Sequence, residues 1–381
     1  MEEFQGLLII MVVVWVTGKI FRSLSLPVLF GELLGGILVG PLVLGIVNPD
    51  SETIKILAEL GIFFLMLHTG LETDPKELLR SSKKSILISF LGDIVPFVTI
   101  FSLAKYFGFT TEQSIFLALG LSMTAIAITV RLLKESKLAK TNIGHTILGA
   151  AIVSDIFALI AFSVILGVIE QGQFELTAFL TMVVKIVLFF VAVIFTGFKT
   201  AKYLKKALKN KGFTFALIVA LSLGLLAEQL GMHMIIGAFL AGLFIRQEVL
   251  DKKVFDKIED RIYGLSYSFL GPIFFTSLAF KLDLSAIFSK PKTLIFICLA
   301  AIFGKFFGAS MGAYIQKISF KKAVIIGLAM NSRGAIDLVI ASIGLEKGII
   351  NSEIFSIMVI TAFTATLFSI FTTKPLAKHA K

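Results

Sequence analysis

Residues 60–74 read LGIFFLMLHTGLETD, and residues 270–284 read LGPIFFTSLAFKLDL. Both open on Leu-Gly, carry an Ile-Phe-Phe core and end near an acid, at an offset of about 210 residues. GELLGGILVG at 31–40 returns more faintly as IGAFLAGLFI at 236–245. The same shift carries the apolar runs that begin at 83, 112 and 142 onto those at 293, 322 and 351. The chain therefore predicts an internal repeat.

Composition says what kind of repeat. With 57% hydrophobic and only 16% charged residues and a mean hydropathy of +0.95, the chain lies far outside the range of soluble domains. A hydrocarbon core about 30 Å thick takes about 20 apolar residues per helix. Thirteen runs qualify, at 4–20, 26–46, 52–70, 83–107, 112–133, 142–170, 174–197, 212–229, 231–246, 262–281, 293–315, 322–345 and 351–373. The predicted fold class is an all-α polytopic membrane protein of about 13 transmembrane helices. Spans two to six correspond to spans nine to thirteen, and seven crossings separate each pair. Seven is odd, so the copies run through the membrane in opposite directions, the inverted repeat of many secondary transporters.

The first run follows MEEF, which has no basic residues, and no small-residue cleavage site follows it; a retained helix is expected. The single cysteine, Cys298, lies inside an apolar run, and four scattered histidines leave no recognisable zinc spacing. No phosphate-binding loop follows a strand, so no ATPase signature is present and transport driven by ion gradients is expected.

A net charge of +11 raises nucleic acid as a partner, but the placement of the basic residues argues for a bilayer instead. Of 36 Lys and Arg, 27 fall in one alternate set of loops, including KTAKYLKKALKNK at 199–211, against six in the other. The positive-inside rule places the rich side in the cytoplasm, with the N-terminus outside and the C-terminus inside. Three basic residues, Lys185, Lys305 and Arg333, fall within spans.

One acid stands out. AAIVSDIFALIAFSVIL at 150–166 puts Asp155 in mid-span, where a charge costs roughly 2.5 to 3.5 kcal/mol on insertion scales. In inverted-repeat transporters the site lies near the midplane beside discontinuous helices. The repeat-related fifth and twelfth spans are the candidates: SMTAIAITVR at 122–131, and AMNSRGAID at 329–337, a polar knot in which Gly334 can relax the backbone.

These residues carry a resemblance. LPVLFGELLGGILVGP at 26–41, the LGIFFLMLHTGLE run, SMTAIAITVRLLKE at 122–135, the Ser154-Asp155 helix, GAFLAGL at 237–243, GKFFGA at 304–309 and NSRGA at 331–335 occur in order over essentially the whole chain. Together they resemble the monovalent cation:proton antiporters, in the branch that includes NapA-type sodium/proton antiporters and the membrane part of potassium-efflux systems. The resemblance implies a translocating core around two crossed broken helices, here residues 83–170 and 292–375. It also implies a scaffold that makes a homodimer, 1–82 and 198–291, joined to the core by a connector helix over 171–197. The nucleotide-binding domain of the potassium-efflux systems is not expected after KPLAKHAK.

On this reading Asp155 binds cation and proton in turn, because both compete for the same sheltered oxygens near neutral pH. Hard cations favour oxygen ligands, so Ser154, Thr124, Thr129 and Ser122 are candidate helpers; packing between helices is the alternative role for each. Relatives bear Asp or Asn where this chain has Ser154, which leaves one carboxylate at the pair and makes one-for-one exchange the expectation. Lys305 matches a family lysine whose usual partner is the missing acid. It is left to pair with Asp155, to sit neutral, or to carry a proton itself. Arg333, Asp337, Asp93 and Asn331 are read as a network that stabilises the broken helices, with Arg333 and Asp337 four residues apart on one helical face. Glu32 is expected to be a hydrogen-bonded scaffold acid, and Lys185 a snorkelling or lipid-contacting residue.

The predicted function is exchange of a monovalent cation, Na+ before Li+ or K+, for H+, in a prokaryotic plasma membrane. No cofactor and no enzymatic activity are expected. A gated cation channel, an organic-anion carrier and an intramembrane enzyme are the competing classes, the last lacking a paired nucleophile and base.

Overall fold

The computed structural model describes residues 2–73, 83–170, 176–207, 212–246 and 252–377. The end of the basic run at 199–211, the first residues of the expected connector and the last four residues lie outside these. All regular structure among the described residues is helical. Among the described residues, eight helices are long and apolar enough to cross a bilayer, and Val28–Val39, Leu180–Val193 and Met234–Arg246 are shorter apolar helices. Large apolar side chains such as Leu8, Trp15, Ile218, Leu225 and Phe307 stand exposed on these helices, which suits lipid rather than water.

The chain divides into two units. Unit 1 comprises Met1–Pro75 and Ser163–Lys281. It holds α1 (Glu2–Ser23), α2 (Val28–Val39) and α3 (Glu52–Glu72), then, after the end of α7 (Asn142–Glu170), α8 (Leu176–Ala207), α9 (Gly212–Gln229), α10 (Met234–Arg246), α11 (Lys252–Leu265) and α12 (Gly271–Phe280). A π-helical turn, Ser266–Leu270, joins the last two. Ser51 caps α3 by accepting from the Ile54 amide at 3.2 Å, meeting one of the donors every helix start leaves open. The expected break between the eighth and ninth spans is real: α9 stops at Gln229, and Gly231 turns the chain at φ +81°, a conformation that favours glycine. Glycines also set the closeness of α3 to α10. A Cβ at Gly70 would strike the Phe239 carbonyl, and one at Gly242 the Leu67 carbonyl.

Unit 2 comprises Lys76–Phe162 and Leu282–Lys381. Its helices are α4 (Lys83–Tyr106), α5 (Thr111–Gly120), α6 (Ile126–Glu135) and most of α7 (Asn142–Glu170), then α13 (Leu284–Ser289), α14 (Pro291–Ile315), α15 (Phe320–Ala329), α16 (Ala335–Glu346) and α17 (Ser352–Ala377). The repeat is visible in the boundaries: α5 and α6 start at 111 and 126, α15 and α16 at 320 and 335, a shift of 209 in both cases. Each of these two spans is broken, the first over residues 121–125 and the second over 330–334. Helices α4 and α14 lie backbone to backbone, because Gly304, Gly308 and Gly312 sit where a Cβ would meet Pro96, Leu91 and Ile88.

Candidate functional site

The site of unit 2 is built from two helix breaks. The first half, α5, begins with a capping box in which Gln113 and Thr110 exchange hydrogen bonds. It ends at Gly120, a turn at Leu121 and Ser122 follows, and α6 starts after an extended Ala125 that offers no side-chain cap. Such a start leaves amide donors open. In the second break, Gly334 adopts φ −153° and ψ −145°, and Asp337 accepts its amide at 2.9 Å to cap α16.

The two breaks are hydrogen-bonded to each other. The Ala125 amide donates to the Ser332 carbonyl at 2.8 Å, the Thr124 hydroxyl donates to the Met330 carbonyl at 2.8 Å, and the Arg333 guanidinium donates to the Met123 carbonyl at 3.2 Å. Unwound backbone inside a membrane protein needs such partners, since lipid supplies none. Helix α17 holds the second break from behind. Thr366 accepts the Arg333 amide at 2.9 Å and donates back to the Arg333 carbonyl at 3.0 Å, and Ser369 donates to the Leu328 carbonyl at 2.8 Å.

Asp155 lies on α7, 1% exposed. Among the described residues, neither carboxylate oxygen has a hydrogen-bond partner of full geometry. They face the amide of Ile126, the first residue of α6, and feel the charges of Asp337, Asp93 and Lys305. The neighbouring Ser154 is buried as well. Its hydroxyl donates to Asp93 Oδ1 at 2.8 Å.

Asp93 Oδ1 also receives the Lys305 ammonium at 2.5 Å. Lys305 has no exposed surface, and a second of its protons goes to the Ser122 carbonyl at 2.6 Å, at the start of the first break. Ser89, one turn before Asp93, donates to the other carboxylate oxygen at 3.1 Å. A buried lysine requires a carboxylate or carbonyl at hand, and this one has both. The sequence left Asp155, a neutral state or proton carriage as the options for Lys305; the geometry pairs it with Asp93.

The expected Arg333–Asp337–Asp93 network is likewise rearranged. Arg333 donates to the carbonyls of Met123 and Ala301, Asp337 accepts the Gly334 amide, and Asp93 belongs to Lys305. Asn331 is fully buried, its Nδ2 donating to the Gly327 carbonyl at 3.1 Å while Oδ1 has no partner among the described residues. Thr129 donates to the Ala125 carbonyl at 2.7 Å and Ser122 to the Leu119 carbonyl at 2.9 Å. Their oxygens keep lone pairs. Glu32 is buried in α2 of unit 1 and belongs to none of these contacts. Thr366, Ser369 and Ser89 carry much of the scaffolding and were missed, because isolated hydroxyls in apolar helices give no sequence signal.

A family profile described as "Sodium/hydrogen exchanger, transmembrane" matches residues 7–379. The chain belongs to that family. Among relatives of this exchanger-family chain, the probable Na(+)/H(+) antiporter GerT of Bacillus cereus is 34% identical over 93% of this chain and 94% of its own length. The Na(+)/H(+) antiporter of Enterococcus hirae is 29% identical over 96% of each. In fold, the chain resembles the sodium proton antiporter MjNhaP1 from Methanocaldococcus jannaschii, solved at pH 8, with a TM-score of 0.77, 20% identity and 99% of both chains covered.

Proposed function

We propose that this exchanger-family chain trades a monovalent cation, Na+ first, for H+ by alternating access, with Asp155 as the shared binding group. One observation carries the reading: a carboxylate at mid-helix, buried, with both oxygens lacking full hydrogen-bond partners, beside the open amide end of a broken helix. A buried charge must be neutralised. A proton or a small cation can do that for Asp155, and the two exclude one another. Hydroxyl and backbone oxygens near the first break, from Ser154, Thr124, Thr129 and Ser122, complete a ligand set of the hard kind such cations take. Asn331 Oδ1 adds an amide oxygen at the second break. Lys305, Asp93, Arg333 and Asp337 hold the crossing in register.

The finer architecture belongs to the same proposal. Eight long helices, three short apolar ones and two broken spans make thirteen crossings, with the N-terminus outside and the C-terminus in the cytoplasm of a prokaryotic plasma membrane. Unit 2 is the translocating core. Unit 1 is the scaffold of a homodimer, with α8 as connector. Names of relatives, which specify Na(+)/H(+) antiport, support the cation and the counter-ion.

Proteoliposomes with an internal pH dye test the function. Adding Na+, Li+ or K+ to wild type should collapse an imposed ΔpH with at least one ion, and Asp155→Asn should abolish the response. Full exchange by the variant, or cation flux that needs no counter-gradient as in a channel, overturns the reading.

A further inference from the structure

Helices α4 and α14 touch closely where glycines allow it, but toward one end of the pair they leave a groove of about 520 Å³. Phe296, Phe303 and Phe307 of α14 line it from one side, and Val95, Thr99 and Leu103 of α4 from the other. Ala300 and Gly304 lie between the phenylalanines and are too small to fill it. The rings are braced from behind. Phe303 stacks on Phe307 at 6.2 Å and tilts against Phe368 of α17 at 6.4 Å, and Phe296 tilts against Phe107 at 6.2 Å. Thr99 turns its hydroxyl back to the Val95 and Pro96 carbonyls at 3.0 Å, so its wall presents carbon. Walls of this kind make a preformed, apolar cleft of the size that small ligands occupy.

Its length matches one leaflet. Phe296 to Phe307 is eleven steps along one helix, about 16 Å at 1.5 Å per residue. Half of a hydrocarbon core about 30 Å thick is about 15 Å. The groove also begins at mid-depth, because Gly304 precedes Lys305 and the Ala301 carbonyl accepts from Arg333 of the second break at 3.3 Å. An acyl chain has this length and brings no polar atom that would need a partner.

The other end of the groove carries charge. Lys105 stands in the last turn of α4 and Lys292 in the first turn of α14, and the Phe107–Phe296 contact brings those turns together. The loops on this side hold six of the 36 basic residues, and these are two of the six. Lys105 donates to the Phe109 carbonyl and the Thr111 hydroxyl, both at 3.3 Å, and has a third proton to give. Glu112, beside it, turns its carboxylate to Thr110 and its own amide. Lys290 is engaged by Glu353 at 3.0 Å, whereas Lys292 is exposed. Tyr106, 82% exposed, marks the headgroup level.

We propose that this groove binds one anionic phospholipid from the leaflet on the lysine-poor side, with a single acyl chain along Ala300 and Gly304 and the phosphate at Lys105 and Lys292. None of the exchange ligands takes part. The bound lipid covers the helix pair that carries Asp93 and Lys305, and so braces it.

A phosphatidylglycerol with a diazirine in its acyl chain, added as a minor component to phosphatidylcholine vesicles holding the full chain, tests the site. After irradiation, peptide mapping should find more label on residues 95–103 and 296–307 than on the exposed apolar face of α1 around Trp15. Ala300→Trp should fill the groove and bring that label down to the α1 level. Lys105→Gln combined with Lys292→Gln should weaken capture of phosphatidylglycerol about tenfold relative to phosphatidylcholine bearing the same diazirine, and it is the second variant if Ala300→Trp does not fold. Label spread evenly over the lipid-facing helices, or undiminished by Ala300→Trp, overturns the groove. Equal capture of the two lipids by wild type overturns the phosphate contact.

Discussion

The amide of Ala125 donates to the carbonyl of Ser332 across 2.8 Å, tying the break of one repeat to the break of the other. That bond is possible because Gly334, two residues on, lets the chains approach: a Cβ there would lie 2.6 Å from the Ala125 Cβ. The half-helices are thus held end to end by a direct backbone bond beside the side-chain bonds of Thr124 and Arg333. Gly334→Val should force them apart. Overpacking of this kind costs about 1–3 kcal/mol, and exchange in proteoliposomes should fall at least about tenfold while Gly264→Ala, at a site facing open space, leaves packing undisturbed.

The Lys305–Asp93 pair predicts a non-additive cycle. Removing one partner of a buried pair costs about 3–5 kcal/mol because the other charge is stranded. Asp93→Asn and Lys305→Met should therefore each lower the thermal midpoint in detergent strongly. The double variant should recover most of the loss, and additive losses would show that the two side chains do not depend on each other.

Thr366 both accepts from and donates to Arg333. Thr366→Val leaves a buried amide and carbonyl unmet, at a cost of about 1–3 kcal/mol, and Thr366→Ser should restore the bonds. Hydrogen–deuterium exchange at residues 330–334 should rise in the valine variant and stay low in the serine variant.

At the end of α6, Glu135 receives Arg131 at 2.8 Å and Lys374 at 2.6 Å. Partial burial works against its charge, but the Lys374 and Arg131 hydrogen bonds outweigh that and hold the carboxyl below the ordinary glutamate range. A depressed carboxylate contributes stability above its unfolded pKa and loses it as pH falls through the folded value. Glu135→Gln should melt earlier than wild type at neutral pH. The difference should close below about pH 4.5, the ordinary glutamate value.

Membrane class, the repeat, the two spans that break and the acid at mid-span were all legible from the chain. Each rests on a local or periodic signal: apolar run length, an offset near 209, a polar knot around Gly334, a lone Asp155 among aliphatics. The partners of the charges were not legible. Asp93 meets Ser154 at a separation of 61 positions and Lys305 at one of 212, and no periodicity links residues that far apart. Only the packing of α4 against α14, set by glycines, brings Lys305 to Asp93 rather than to Asp155. The same holds for the groove at Ala300, whose phenylalanines read as one more apolar run until α4 packs against α14. Hydrophobic pattern determines which segments enter the membrane, because water rejects them wherever they lie in the chain. Which buried charges meet is decided by close approach of backbones, and that exists only in the folded state.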